Sequence, residues 1–225
     1  MEKQVYSAAI FDLDGTIIDS MQDMLICMKE AYGKEGIFNA KPEKKHIGPT
    51  LLECLKSITP WIGPGLLDKV AKNFCEVYDK SSYPNTLVYP GIRELFEILQ
   101  LRKMPVYLVT NKRFIPTNRI LKRIGLEVFK AVISPDCQAG KKLNKTEMLS
   151  FLLNQEGLDP NNAVYIGDAV SDIKSAKNNG LKTIAVTYGY TGEDELKKAS
   201  PDHFAKDPES IKNTLLGLIV ETCSK

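Results

Sequence analysis

Two aspartates one residue apart, Asp12 and Asp14, close a short apolar run, Ala9-Ile10-Phe11, and lead into Gly15 and Thr16. Such a run reads as a strand buried on both faces, as in a parallel sheet. Side chains at i and i+2 of a strand point to the same side, so the two carboxylates share a side. They repel unless a cation, a proton or hydrogen-bond donors sit between them. Taken alone, Asp14-Gly15 reads more readily as a polar turn. Matching groups follow later in the chain. Thr110, Asn111 and Lys112 end the run Val106–Val109, Asp168 ends the run Ala163–Ile166, and a lysine-rich stretch runs from Lys141 to Lys145. Carboxylates from two strands favour a hard cation such as Mg²⁺, which takes oxygen ligands. Hydroxyl, amide and ammonium donors favour an anion beside it. Cation and anion together suggest phosphate, and a carboxylate attacks phosphorus only when charge repulsion is relieved.

The elements that must position these groups alternate. Ser20 is expected to cap a helix over Met21–Tyr32, with Met21, Met24, Leu25 and Met28 as its packed stripe. From Gly33 to Tyr83 the pattern is helical without a convincing strand, with helices near Glu43–His46, Leu51–Ser57 and Leu66–Lys80 and a turn-rich loop, with Trp61 packing between helices. Beyond Tyr89-Pro90-Gly91, helix and strand alternate: Ile92–Leu101, Val106–Val109, Ile115–Ile124, Ala131–Ile133, Thr146–Gln155, Ala163–Ile166, Val170–Asn178, Thr183–Val186, Glu193–Ala199 and Glu209–Val220. Parallel strands joined by helical crossovers make an α/β, doubly wound, Rossmann-like sheet. The expected domains are an α/β core of residues 1–18 and 86–225 and an inserted all-helical cap of residues 19–85. Catalytic groups of such sheets lie outside the carboxyl ends of the strands, where all three acidic positions fall.

Composition narrows the class. The chain has 225 residues, 43% hydrophobic and 26% charged, with a formal net charge of +2. That balance carries no broad attraction to nucleic acid or an anionic membrane. Five cysteines are dispersed and form no CxxC pair, which reads as free thiols in a reducing compartment. With only His46 and His203 to assist, a zinc site is not expected. No signal-peptide pattern or spanning run is found, so a cytoplasmic protein is expected, monomeric or a small homo-oligomer.

Four pieces in order carry a family resemblance: Phe11-Asp12-Leu13-Asp14-Gly15-Thr16, Val109-Thr110-Asn111-Lys112, the lysine before Glu147, and Tyr165-Ile166-Gly167-Asp168 with Asp172. The chain resembles haloacid dehalogenase-superfamily phosphatases, in the phosphoglycolate phosphatase-like branch with a helical cap. The stretches around Gly48-Pro49-Thr50 and Val186-Thr187-Tyr188-Gly189-Tyr190 look like that branch too. The resemblance implies that Asp12 is the nucleophile forming an aspartyl-phosphate and that Asp14 is the general acid, then the base. It implies Mg²⁺ held by the Asp12 and Asp168 carboxylates and the Asp14 main-chain carbonyl, with Asp172 behind them. Thr110 and Asn111 would hold phosphoryl oxygens, and Gly48 would belong to a substrate-side loop. Members of the family often carry Lys-Pro at the lysine position and this chain does not; Lys145 is favoured over Lys142. Lys112 reads as a solvated side chain or one lining the cap entrance.

The leading expectation is a Mg²⁺-dependent phosphomonoesterase acting on a small phosphorylated metabolite, with phosphoglycolate, a nucleoside monophosphate or a sugar phosphate as candidates. A phosphomutase or pyrophosphatase on the same scaffold is the alternative. A receiver-type signalling domain would also place acids, Thr and Lys at strand ends, but it is shorter, lacks the helical insertion and has no counterpart of Asp14.

Overall fold

Ala8–Phe11 are all fully buried and form β1 at the centre of the protein. In a computed structural model that describes residues 6–47 and 50–217, β1 lies in a six-stranded sheet. The other strands are β4 (Val106–Val109), β5 (Ala131–Ile133), β6 (Ala163–Gly167), β7 (Lys182–Val186) and β8 (His203–Ala205). Their order is β5-β4-β1-β6-β7-β8, and every pairing is parallel. Chain order reverses at β1: the strands to one side are reached through β4 and those to the other through β6. Ligands of open α/β sheets bind at such a switch point.

The period-two alternation of β1 sorts its side chains between two cores. Ala9 and Phe11 join one apolar cluster with residues of the helices α4 (Ile92–Leu101), α5 (Phe114–Ile124) and α9 (Pro208–Leu215). Ala8 and Ile10 join a second with α6 (Lys145–Glu156) and α7 (Val170–Asn178). Helices therefore cover both faces, which is why the strands read as unbroken apolar runs. The short α8 (Glu193–Lys198) packs Leu196 against Ile173 and Ala185.

Between β1 and β4 the chain detours through helices. α1 (Met21–Lys34), α2 (Leu51–Ile58) and α3 (Pro64–Lys80) pack on one another, and the first apolar cluster continues into them through Tyr32, Leu55, Val70 and Phe74. The two connections to this segment are tied together by a small antiparallel ribbon, β2 (Ile18–Asp19) with β3 (Leu87–Val88). Buried Asp23 of α1 reinforces it. Its carboxylate accepts hydrogen bonds from the Asn85 main-chain N (3.1 Å to Oδ2), the Asn85 side-chain amide (2.9 Å) and the Thr86 hydroxyl (2.6 Å).

Several local expectations need correction. Neither β2, β3 nor β8 is legible in the periodicity: the first two span two residues each, too short to alternate, and β8 has three residues of which only Ala205 is buried. His203 starts β8. Ser20 sits at the N-cap of α1, but its side chain makes no cap bond; the Met21 N–H is met by Asp19 Oδ1 at 3.0 Å. Trp61 is 60% exposed rather than packed between helices, where the buried cluster is built by Leu55, Ile58, Val70 and Phe74. Of the methionine stripe, Met28 is buried and Met24 packs on the core, while Met21 and Leu25 are only half-buried. Cys27, Cys75 and Cys137 are free thiols. No helix among the described residues is long and apolar enough to cross a membrane.

Candidate active site

Parallel β1, β4 and β6 run side by side, so their carboxyl ends bring Asp12, Thr110 and Asp168 to one edge of the sheet. Register puts Phe11 beside Leu108 and Ile166, one or two positions before these residues. Gly15 then turns with φ of +82°, in the left-handed region. A Cβ built there would fall inside the Asp168 carboxylate, so this glycine leaves the space the acid occupies.

Lys145, the first residue of α6, reaches back into this edge and is buried. Its ammonium donates to Asp12 Oδ1 (2.5 Å), the Val109 carbonyl (3.0 Å) and the Tyr165 hydroxyl (2.9 Å), and pairs with Asp172 Oδ1 (3.1 Å). Asn144 frees Lys145 for this by taking the cap: its side chain accepts from the Glu147 N–H at 3.0 Å, and Glu147 answers on the Asn144 N–H. Lys142 is exposed. The structure thus brings Lys145, not Lys142, to Asp12.

Ligand-type oxygens of Asp12, Asp168 and Asp172 lie within 4.8 Å of one another, all buried. Three carboxylates face one ammonium, so full ionisation leaves two negative charges uncompensated. Burial, opposed by Lys145 and aided by the Asp172 charge, pushes the Asp12 carboxyl up to about 7. Burial and the charges of Asp172 and Asp12 raise the Asp168 carboxyl well above its ordinary range. Lys145 stays charged: burial works against its ammonium, and the Asp12 and Asp172 carboxylates outweigh it. Hard oxygen donors with an excess of two negative charges suit a divalent cation. Both oxygens of Asp172 are engaged within the protein. Besides Lys145, it accepts the Ala169 N–H at 3.2 Å. Asp168 Oδ2 accepts the Tyr190 N–H at 2.7 Å, and buried Thr16 approaches its Oδ1 at 3.5 Å.

Asp14 belongs to a different set. Its Oδ1 accepts the Ser20 hydroxyl and pairs with Lys112 at 3.1 Å. Lys112 is buried rather than solvated, because Asp14 and the Tyr78 hydroxyl (2.8 Å) supply what water would. Burial alone would lower its ammonium; Asp14 and Tyr78 reverse this and hold it above the usual lysine range. Burial pushes the Tyr78 phenol up to about 12. Thr110 is buried and its hydroxyl accepts the Lys112 N–H at 3.1 Å, leaving its own proton to give. Asn111 is exposed beside it. Gly48 and Pro49 lie outside the described residues.

A family model described as haloacid dehalogenase-like hydrolase matches residues 9–186, from β1 to the end of β7. The chain belongs to that family. A 5'-nucleotidase of Pseudomonas aeruginosa is 29% identical over 215 residues, 93% of this chain and 96% of that protein. A phosphoglycolate phosphatase of Aquifex aeolicus is 28% identical over 219 residues, 94% of this chain and 98% of that one. Among solved structures, a haloacid dehalogenase-like family hydrolase from Streptococcus pneumoniae superposes with a TM-score of 0.80 at 21% identity, covering 92% of this chain and 97% of its own. That last likeness concerns the fold.

Sequence reasoning missed four contributors. Ser20 was spent on a helix cap. Tyr165 reads as core, although a buried phenol in an apolar strand must find a partner. Tyr78 lies far along the chain from Asp14 and carries no local signal; Tyr190 lies in the stretch that the resemblance marked, but a main-chain N–H has no signature in the sequence that would assign it to Asp168.

Proposed function

We propose that the protein is a Mg²⁺-dependent phosphomonoesterase of the phosphoglycolate phosphatase-like kind, acting on a small phosphorylated metabolite through an aspartyl-phosphate. The observation that carries this reading is the pairing of buried Asp12 with Lys145 inside a cluster of three carboxylates. Helical residues 19–85 serve as the cap and residues 1–18 and 86–225 as the core; the β2–β3 ribbon at their junction supports that division.

Asp12 attacks phosphorus and forms the acyl phosphate. Lys145 favours the ionised form of the nucleophile against burial and offsets the charge of the phosphoryl group. Thr110 and Asn111 donate to the phosphoryl oxygens. Asp14 protonates the ester oxygen as it leaves, then takes a proton from the water that hydrolyses the aspartyl-phosphate. Phosphoryl transfer depends mostly on positioning and charge stabilisation, and these residues divide that work. The Asp12 and Asp168 carboxylates and the Asp14 main-chain carbonyl would hold Mg²⁺, which supplies charge neutralisation at the phosphoryl oxygens. Asp172, with its oxygens on Lys145 and the Ala169 N–H, orients the lysine instead. Relatives named for phosphoglycolate and for 5'-nucleotides both act on small phosphomonoesters, which supports the substrate class.

The test is phosphate release from a panel containing phosphoglycolate, nucleoside monophosphates and sugar phosphates, with Mg²⁺ and with chelator, beside Asp12→Asn. Metal-dependent release that disappears in Asp12→Asn is expected. Release that survives in Asp12→Asn overturns the reading, and a stable phosphoenzyme without release points to a mutase.

A further inference from the structure

Lys112 has no place in the chemistry described above, yet it is one of the most carefully housed charges in the protein. Its side chain is 5% exposed. An ammonium so buried is tolerated only when paired, and both its partners are notable. One is Asp14 Oδ1. The other is the Tyr78 hydroxyl, from the helical segment, whose ring also lies 4.5 Å below the ammonium. Tyr78 is itself wedged, stacked on Phe74 at 5.2 Å and set edgewise to Tyr83 at 5.1 Å. The turn of α3 that bears it is pinned to α5 from both sides: Arg113 reaches the Cys75 carbonyl (3.1 Å) and the Asp79 carboxylate, and Arg119 reaches the Asp79 carbonyl.

The arrangement at Asp14 is one-sided. Oδ1 receives both the Ser20 hydroxyl and Lys112. Oδ2 has no hydrogen-bond partner among the described residues. Two donors aimed at Oδ1 leave Oδ2 as the oxygen that can face the substrate.

We infer that Tyr78 and Lys112 are positioning residues that aim Asp14 Oδ2 at the leaving-group oxygen. The inference rests on the phosphatase reading above. In the step concerned, the Asp12 oxygen–phosphorus bond forms and the ester P–O bond breaks. The proton on Asp14 Oδ2 moves to the departing oxygen, the alcohol leaves neutral, and the resulting Asp14 carboxylate is met by the Lys112 ammonium.

The experiment compares kcat/KM for an alkyl phosphate, whose alcohol needs a proton to leave, with that for 2,4-dinitrophenyl phosphate, whose phenolate does not. In Lys112→Met, a loss of about 100-fold is expected on the alkyl ester and of less than about fivefold on the aryl ester, within the range one general acid supplies. Tyr78→Phe removes only a hydroxyl and is expected to lose about tenfold on the alkyl ester and about twofold or less on the aryl one. Lys112→Arg keeps the charge and restores most of the alkyl activity. Equal losses on the two esters in variants that melt like the wild type overturn the inference. So does a rise in KM with kcat unchanged, which would make Lys112 a substrate contact. If Lys112→Met does not fold, Tyr78→Phe decides by the same ratio. Failure of the phosphatase reading is separate: it appears as Asp12→Asn turning over both esters at the wild-type rate, whatever the Tyr78 and Lys112 variants do.

Discussion

Lys145 Nζ lies 2.5 Å from Asp12 Oδ1, across 133 residues of chain. The contact joins the first helical residue of α6 to the end of the central strand and places the one cation that the carboxylate cluster meets among the described residues against the proposed nucleophile. Replacing Lys145 by Met removes the charge and keeps the stem. Turnover is expected to fall by about 10²–10³, the usual cost of removing one group that stabilises developing charge. Steady-state phosphate release measures it, and a loss below about threefold would show that Lys145 only packs.

The same cluster makes a prediction about pH. Asp12 is held up to about 7, against an ordinary carboxyl value of 3.8, first by burial. A carboxyl raised on folding contributes most below its unfolded value, and that contribution is lost as pH rises through its folded value. In metal-free protein, stability relative to Asp12→Asn is therefore expected to fall between about pH 4 and pH 7. Denaturant melts of the two proteins at pH 5 and pH 8, with chelator, give the comparison. Adding Mg²⁺ at pH 8 should restore the wild type and leave Asp12→Asn nearly unmoved, because a ligand that binds only the native state stabilises it by mass action. Parallel pH dependence of the two proteins would contradict the proposed state of Asp12.

Gly15→Ala tests the space around Asp168. The new methyl falls on the Asp168 carboxylate, and φ of +82° is strained for alanine. Phosphatase activity is expected to drop by about 100-fold or more, with weaker Mg²⁺ binding by titration calorimetry. Unchanged calorimetry would mean that Asp168 is not a ligand.

Asp23→Ala probes the junction of the helical segment. It strips the acceptor from the Asn85 main-chain and side-chain N–H groups and from the Thr86 hydroxyl. Donors left buried without partners cost about 1–3 kcal/mol each, less where water reaches them, so a loss of roughly 3 kcal/mol is expected in chemical denaturation. Asp23→Asn, which retains one acceptor oxygen, should lose about half as much.

Much of this protein is legible along the chain. The five strands that carry apolar runs, β1 and β4 to β7, and the helices between them, follow from periodicity, because burial leaves an unbroken apolar signal. Asp12, Thr110 and Asp168 are legible for a related reason: each ends such a run, and the ends of parallel strands are brought to one edge. The positions of β2, β3 and β8 are not legible, since two-residue bridges and a three-residue strand with one buried position carry no pattern of their own.

The sequence by itself determined the alternation of strands and helices, the helical insertion, and the residues at the strand ends. Only the tertiary structure decided how the charges are shared. It separates Asp14, with Lys112, Ser20 and Tyr78, from Asp12, with Lys145 and Asp172. It turns Lys112 from a solvated side chain into a buried one, and draws Tyr165 and the Tyr190 main-chain N–H into the site. The physical reason is that hydrophobic pattern acts locally and repeats along the chain. The partner of a buried charge is chosen by whatever folding brings within about 3 Å, from any distance in sequence.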